Sequence, residues 1–169
     1  MVMRHAKSSW DDPRMDDHDR PLNARGLRTA PRMAAWLMRQ GYEPDSITSS
    51  TAGRAEATAR LVQTGLDTGL PIRLMPKLYH ADLSAWEYVI RRLPAESRRA
   101  LCVGHNPGIE MLFHALTGDS QRIPTATICV FDLEIDDWPS FDLQNSLGKW
   151  MLWRPKELPD DFGCENPEF

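Results

Sequence analysis

Three short stretches of this chain carry side chains able to do chemistry on an anion. They are Arg4-His5, then Arg54 just past Ser49-Ser50-Thr51-Ala52, then Gly104-His105-Asn106. Each follows a short apolar run and precedes a helical pattern, which makes each a strand-to-helix junction. In open α/β sheets ligands bind beyond the carboxyl ends of the strands, so the three junctions fall on one edge. A lone arginine at a helix start is usually solvated, and a lone histidine at a strand end usually satisfies a backbone group. The coincidence at three strand ends is what points to a site. Arg54 is the most informative of them. It opens a helix, where the dipole is positive and a cation is unfavourable by about 0.3–1 kcal/mol. An anion bound between the two removes that conflict. The helix after Asn106 turns its unpaired N–H groups to the same edge. Two arginines, two histidines and helix N-termini at one place describe a phosphate site.

Elimination narrows the chemistry. A cysteine phosphatase needs an arginine six residues after its cysteine, but Cys102 is followed there by Gly108 and Cys129 by Ile135. A phosphoaspartate mechanism wants Asp-x-Asp after a strand, and Asp132-Leu133-Glu134 reads as strand exit. No P-loop, G-x-G-x-x-G or G-x-S-x-G occurs. Histidine is the nucleophile that remains.

The elements that must position these residues can be read from periodicity. Val2 to Arg4 is a short first strand. Residues 8–22 are polar and rich in Asp and Pro, hence a long loop, able to fold over the pocket. Within it, Asp16 to Asp19 reads as solvated rather than as a metal site. Asn23 caps a helix whose inner face is Leu27, Ala30, Ala34, Leu37 and Met38, with a kink expected at Pro31 and a stop at Gly41. Ser46 to Ser50 is a strand. A helix from Gly53 buries Ala55, Thr58, Ala59, Val62 and Leu66. Ile72 to Leu74 is a weak strand, Ser84 to Leu93 a helix, and Ala100 to Val103 a buried strand. Asn106 as N-cap and Pro107 in the first turn open a helix lined by Ile109, Leu112, Phe113 and Leu116. Thr127 to Glu134 and Lys149 to Arg154 close the fold as strands. Alternating strands and helices predict the α/β class, a three-layer sandwich. Its central sheet is mostly parallel and flanked by helices on both faces, with at least one antiparallel strand near the C-terminus.

Composition bounds the rest. With 169 residues, 41% hydrophobic and 26% charged, the chain suits one domain, here residues 1–154 with an acidic, Pro-containing tail over 155–169. That tail holds five acids and one lysine, so it accounts for the net charge of −4 and leaves a neutral body. A neutral body argues against nucleic-acid binding. No apolar run approaches a bilayer span. The first residues run straight into charged sequence, so no signal peptide and a cytoplasmic location are expected. Cys102, Cys129 and Cys164 form no CxxC pair, and the first two read as buried reduced thiols. Only three residues precede Arg4, so the native start is expected upstream.

Met3-Arg4-His5-Ala6-Lys7-Ser8 resembles the Arg-His signature of the histidine phosphatase superfamily, the phosphoglycerate-mutase-like fold. Together with Arg20-Pro21-Leu22, Ser49 to Arg54 and Gly104-His105-Asn106-Pro107-Gly108, it is similar to the SixA-type phosphohistidine phosphatase branch. The resemblance spans roughly residues 1–154. It implies that His5 is the nucleophile that becomes phosphorylated, while Arg4, Arg54 and His105 hold the three phosphoryl oxygens. Lys7, Ser8 and Asn106 fall where they would line the rim and contact substrate, although Ser8 and Asn106 read equally well as capping residues. Neither metal nor other cofactor is implied, because the arginines supply the positive charge. His5 must attack as a neutral imidazole, and nearby Arg4 and Arg54 lower its pKa.

Many members of the superfamily carry a Glu or Asp after the third strand as general acid, where this chain has Leu78-Tyr79-His80-Ala81-Asp82. With Tyr79 at that place, alkoxide leaving groups are poorly served. An imidazole, with a pKa near about 6.5, leaves readily. His80 or Asp82 stands as a substitute acid. The mutase branch tends to show Arg-His-Gly, where this chain has Ala6, and an Asn after the tryptophan, where it has Asp11. The expected activity is therefore metal-independent hydrolysis of phosphohistidine on a signalling or carrier protein. The alternatives are a small-molecule phosphomonoesterase or pyrophosphatase of the same superfamily, acting on a small phosphorylated substrate, and a non-catalytic phosphate-recognising module. No nucleic-acid or membrane partner is expected.

Overall fold

The computed structural model of the chain describes residues 1–159. Cys164 and the acidic stretch from Asp160 onward lie outside the described residues. Six strands form one sheet: β1 (Val2–Arg4), β2 (Ser46–Ser49), β3 (Ile72–Leu74), β4 (Ala100–Gly104), β5 (Ile128–Leu133) and β6 (Leu147–Trp153). Their spatial order is β3-β2-β4-β1-β5-β6. β3, β2, β4 and β1 run parallel, whereas β5 is antiparallel to both β1 and β6. The expected α/β sandwich, mostly parallel with its antiparallel strand near the C-terminus, is what the chain adopts.

Four helices cover the sheet: α1 (Ala24–Arg39), α2 (Gly53–Leu66), α3 (Leu83–Ile90) and α4 (Gly108–Thr117). Strand side chains alternate between two cores, as a period of two requires. Met3, Leu101, Val103, Ile128 and Val130 pack with Ala30, Met33, Ala34 and Leu37 of α1 and Ala55, Ala59, Val62 and Leu66 of α2. Val2, Ala100, Cys102 and Cys129 pack on the other face with Trp86, Val89 and Ile90 of α3 and Ile109, Leu112 and Phe113 of α4. No helix among the described residues is long and apolar enough to cross a membrane.

The sequence placed the face of α1 too far to one side. Leu27 and Met38 are exposed, while Gly26 and Met33 are buried. At about 100° per residue, Leu27 and Met38 lie roughly 75–95° from the centre of the buried arc. The helix runs through Pro31 from Ala24 to Arg39. The body also extends past residue 154. Pro155 and Leu158 are buried, and Arg32 of α1 donates to the carbonyl oxygens of Pro155 and Pro159 at 3.1 and 2.8 Å. These apolar residues give residues 155–159 a hydrophobic anchor, which the charge count conceals.

Two glycines fit the helices closely to the sheet edge. A Cβ on Gly26 would stand 2.3 Å from the Lys7 carbonyl oxygen, and one on Gly108 would stand 2.1 Å from that of Ala81. Only glycine lets the start of α1 press against the chain leaving β1 and the start of α4 press against the loop after β3.

Candidate active site

The register of the three central strands brings their carboxyl ends level. Arg4 lies opposite Gly104 and Ser49 opposite Val103. The ladder continues past the strands, with His5 N–H donating to the Gly104 carbonyl and Ser50 N–H to that of Val103, at 3.0 and 2.9 Å. His5, Arg54 and His105 therefore meet at one edge, and all three are buried. The two imidazole rings lie 4.9 Å apart.

His5 is held in one orientation. Its Nδ1 lies 2.7 Å from the Ala6 carbonyl oxygen, to which it donates, so Nε2 carries the lone pair. Arg54 Nε donates to that lone pair at 3.3 Å. The backbone beyond His5 is pinned as well, since Ala6 N–H donates to Thr58 Oγ1 of α2 at 3.0 Å. Burial pushes the His5 pKa down to about 4, helped by the positive charges of Arg54, Arg4 and Arg20 and opposed by the bond to Ala6. His105 is pushed down to about 3, by burial first and then by His5, Arg54 and His80. Both rings are neutral at pH 7. His105 Nε2 lies 2.9 Å from Ser50 Oγ.

Arg4 donates through Nη1 to the Ile123 carbonyl at 2.8 Å. Its Nε, like His105 Nδ1, is buried with no partner among the described residues. Buried polar atoms are seldom left unpaired, and unpaired nitrogens on residues at the edge that carries His5 suit an oxyanion.

Arg54 is gripped from the loop after β1. Its Nη2 pairs with Asp17 Oδ2 at 2.8 Å and its Nη1 donates to the Asp17 backbone oxygen. Asp17 also accepts from Arg20 Nη1 at 2.7 Å and from the Tyr79 hydroxyl at 2.9 Å. These donors hold the Asp17 carboxyl well below the usual carboxylate range, against a desolvation cost that works the other way. His18, next in the 3-10 turn Asp17–Asp19, places Nε2 3.0 Å from Thr51 Oγ1. The long loop thus folds over the site.

The other residues singled out in the sequence stand as follows. Ser8 is buried, its hydroxyl accepting from Arg20 Nη2 at 2.8 Å. Lys7 is exposed, and its carbonyl takes the Asn23 N–H. Asn106 does not cap α4: the N-cap is Pro107, after a cis Asn106–Pro107 bond. Asn106 instead donates through Nδ2 to the Ile123 carbonyl at 3.0 Å, the same oxygen that receives Arg4. Asp82 is committed as the cap of α3, accepting from Ala85 N–H and the Ser84 hydroxyl, both at 2.8 Å. His80 is exposed with its ring 4.0 Å from that of Tyr79. Tyr79 itself reaches the site, 5.5 Å ring to ring from His105.

Sequence reasoning missed Asp17, Ser50 and Thr58. Asp17 had a signal in its i, i+3 spacing from Arg20. Thr58 had one as a polar residue on the buried face of α2. Ser50 had none beyond being a polar residue at a strand end.

Comparison with known proteins identifies the family. Residues 1–101 match the family model of the histidine phosphatase superfamily, branch 1. An uncharacterized protein of Mycobacterium leprae strain TN is 33% identical over 159 residues, covering 85% of this chain and 94% of the relative. The structure of the protein histidine phosphatase SixA complexed with tungstate superposes with a TM-score of 0.74 at 25% identity, over 89% of this chain and 94% of that one. A SixA structure from Agrobacterium tumefaciens superposes with a TM-score of 0.72 at 31% identity, over 78% and 89%. The chain belongs to the histidine phosphatase superfamily, in its SixA-type branch, and is a phosphatase.

Proposed function

We propose that this phosphatase hydrolyses phosphohistidine on a signalling or carrier protein through a phosphohistidine of its own at His5. The neutral Nε2 of His5, its lone pair fixed by the Nδ1–H bond to Ala6, attacks the phosphorus in line. Arg4, Arg54 and His105 take the three non-bridging oxygens and stabilise the charge that spreads over them. The substrate ring, protonated from solvent on its free nitrogen, departs as neutral imidazole, and water then attacks the phosphorus on His5, releasing orthophosphate and neutral His5. The arginines supply the positive charge, so no metal enters the reaction.

The preference for an imidazole leaving group rests on one observation. Among the described residues near the site, no carboxyl group stands ready to protonate an alkoxide. Tyr79 holds the position where a Glu is common, Asp82 is consumed as a helix cap, and Asp17 is an ion-paired carboxylate. An alkoxide leaves poorly without an enzyme acid, whereas a phosphorylated imidazole takes its proton from solvent near neutral pH and leaves as the neutral ring, whose conjugate acid has a pKa of about 6.5. The buried, free Cys102 and Cys129, whose thiols burial raises to about 11 and about 12, suit a reducing cytoplasm.

The test compares phosphate release from a phosphohistidine protein, a phosphoserine protein and p-nitrophenyl phosphate, with and without EDTA. The expected order places the phosphohistidine protein first, with no effect of EDTA. Equal turnover of the phosphoserine protein overturns the substrate class, and loss of activity in EDTA overturns the metal-free mechanism.

A further inference from the structure

His105 and His5 stand side by side, yet the atoms that fix their protons differ. For His5 a carbonyl oxygen decides, since it can only accept. For His105 the decision falls to Ser50, which is fully buried. A serine hydroxyl has one hydrogen to give and two lone pairs. One lone pair takes the Ala52 N–H at 3.2 Å. The remaining polar contact of Ser50 Oγ among the described residues is His105 Nε2, at 2.9 Å. Were the imidazole proton on Nε2, two N–H groups would point at the same oxygen and the hydroxyl hydrogen would be buried without an acceptor, the costly arrangement. With the hydroxyl donating to Nε2, every atom of Ser50 is satisfied and the imidazole proton must sit on Nδ1. That nitrogen is the one buried without a partner.

We propose that Ser50 is a positioning residue for phosphoryl transfer: its hydroxyl donates to His105 Nε2, fixes the Nδ1–H tautomer, and so makes His105 a hydrogen-bond donor to a phosphoryl oxygen. Both histidines then carry their proton on Nδ1 and act through opposite atoms. His5 gives its proton to a carbonyl and turns its Nε2 lone pair, here shared with Arg54 Nε at 3.3 Å, toward the site, whereas His105 has its lone pair taken by Ser50 and offers an N–H. A phosphoryl oxygen only accepts, so a bare lone pair at Nδ1 would repel it. Because His105 stays neutral throughout, it donates without losing a proton and needs no reprotonation between turnovers. The same hydroxyl holds the Ala52 N–H at the start of α2, so one side chain sets both His105 and the helix that carries Arg54.

The tautomer follows from the bonds of Ser50 Oγ, which leave the His105 Nδ1–H free for an oxyanion, while its role rests on the phosphatase reading above, and the experiment separates them. Long-range 1H–15N correlation spectra of labelled protein at pH 7, without added oxyanion, report which ring nitrogen carries the proton. The expected pattern for His105 is a protonated Nδ1 and a bare Nε2, and the reverse pattern overturns the proposal. In Ser50→Ala the His105 preference is lost, and tungstate affinity and kcat on a phosphohistidine protein each fall about tenfold, while the His5 signals stay unchanged. Ser50→Thr, which keeps the hydroxyl, restores all three. An unaltered tautomer and affinity in Ser50→Ala overturn the role of Ser50. Wild-type protein with the expected tautomer that binds neither tungstate nor orthophosphate overturns the phosphoryl-binding reading, and Ser50's part in it, while leaving the hydrogen bond intact.

Discussion

The two edges of the sheet differ in kind. At the carboxyl edge, polar side chains are packed and bonded to one another under a loop. At the opposite edge lies a cavity of about 340 Å³, lined by Val2, Ile90, Ala100, Leu116, Val130 and Phe141 among others. The roomy edge is where β5 and the segment around Phe141 meet the starts of β1 and β4. The chemistry collects at the other edge, because that is where parallel strands deliver their last residues and helices present their N-termini. Space alone is therefore a poor guide to this molecule's function, and convergent charge is a better one.

Substitutions should sharpen the contrast. The largest effect is expected at the crowded edge, where His5→Ala removes the proposed nucleophile and should lower kcat/KM by at least about 1,000-fold. Its folding stability changes little. Retention of more than a tenth of the activity places the nucleophile elsewhere. At the roomy edge the balance reverses. Phe141 is fully buried, and Phe141→Ala should cost about 3–5 kcal/mol in urea unfolding. Activity per folded molecule should stay within about threefold of wild type. A large loss of kcat with unchanged stability would make that cavity part of the site.

Asp17→Asn should act more gently and in a distinctive direction. It keeps an acceptor for Arg54 and Tyr79 but removes a negative charge beside the anion site. Orthophosphate should inhibit the variant about tenfold more strongly, equivalent to ~1.4 kcal/mol. Weaker inhibition would mean that Asp17 serves the anion only by orienting Arg54.

The last effect is graded with pH. His5 and His105 titrate near 4 and near 3 in the folded protein, against an ordinary value of 6.5. The unfolded chain therefore binds more protons below pH 6.5. The stability contributed by neutral burial is complete above that pH and is lost as pH falls toward the folded values. Activity should hold steady from pH 8 to about 5.5, because His5 stays neutral there. An acid limb centred near 6.5 in the pH–rate profile would show that His5 is not desolvated.

How much of this was legible in the sequence depended on whether the signal was local. The strands, the helices and the junctions carrying Arg4, His5, Arg54 and His105 could be read from period and spacing. So could the cap at Asn23, whose Oδ1 takes the Gly26 N–H at 3.0 Å. The rotation of α1 could not, because Leu27 and Met38 are as apolar as the residues that are buried. Asp82 was read as a candidate acid because its type is ambiguous until its partners are known. The dipole argument at Arg54 called for an anion, and the structure supplies one from within the chain: Asp17, 37 residues earlier. A polar, Asp-rich loop looks the same in sequence whether it is solvated or folded onto a cation.

That internal pair has a bearing on turnover. A carboxylate tethered to the same chain competes at high effective concentration, so a stray anion must outbid it on every visit. A phosphoryl group bound covalently to His5 would hold its place without outbidding anything. In the proposed reaction, hydrolysis of that bond would leave the liberated orthophosphate an ordinary competitor, and Asp17 would recapture the guanidinium. Departure of the product and resetting of the enzyme then become one event, driven by a side chain that takes no part in bond breaking.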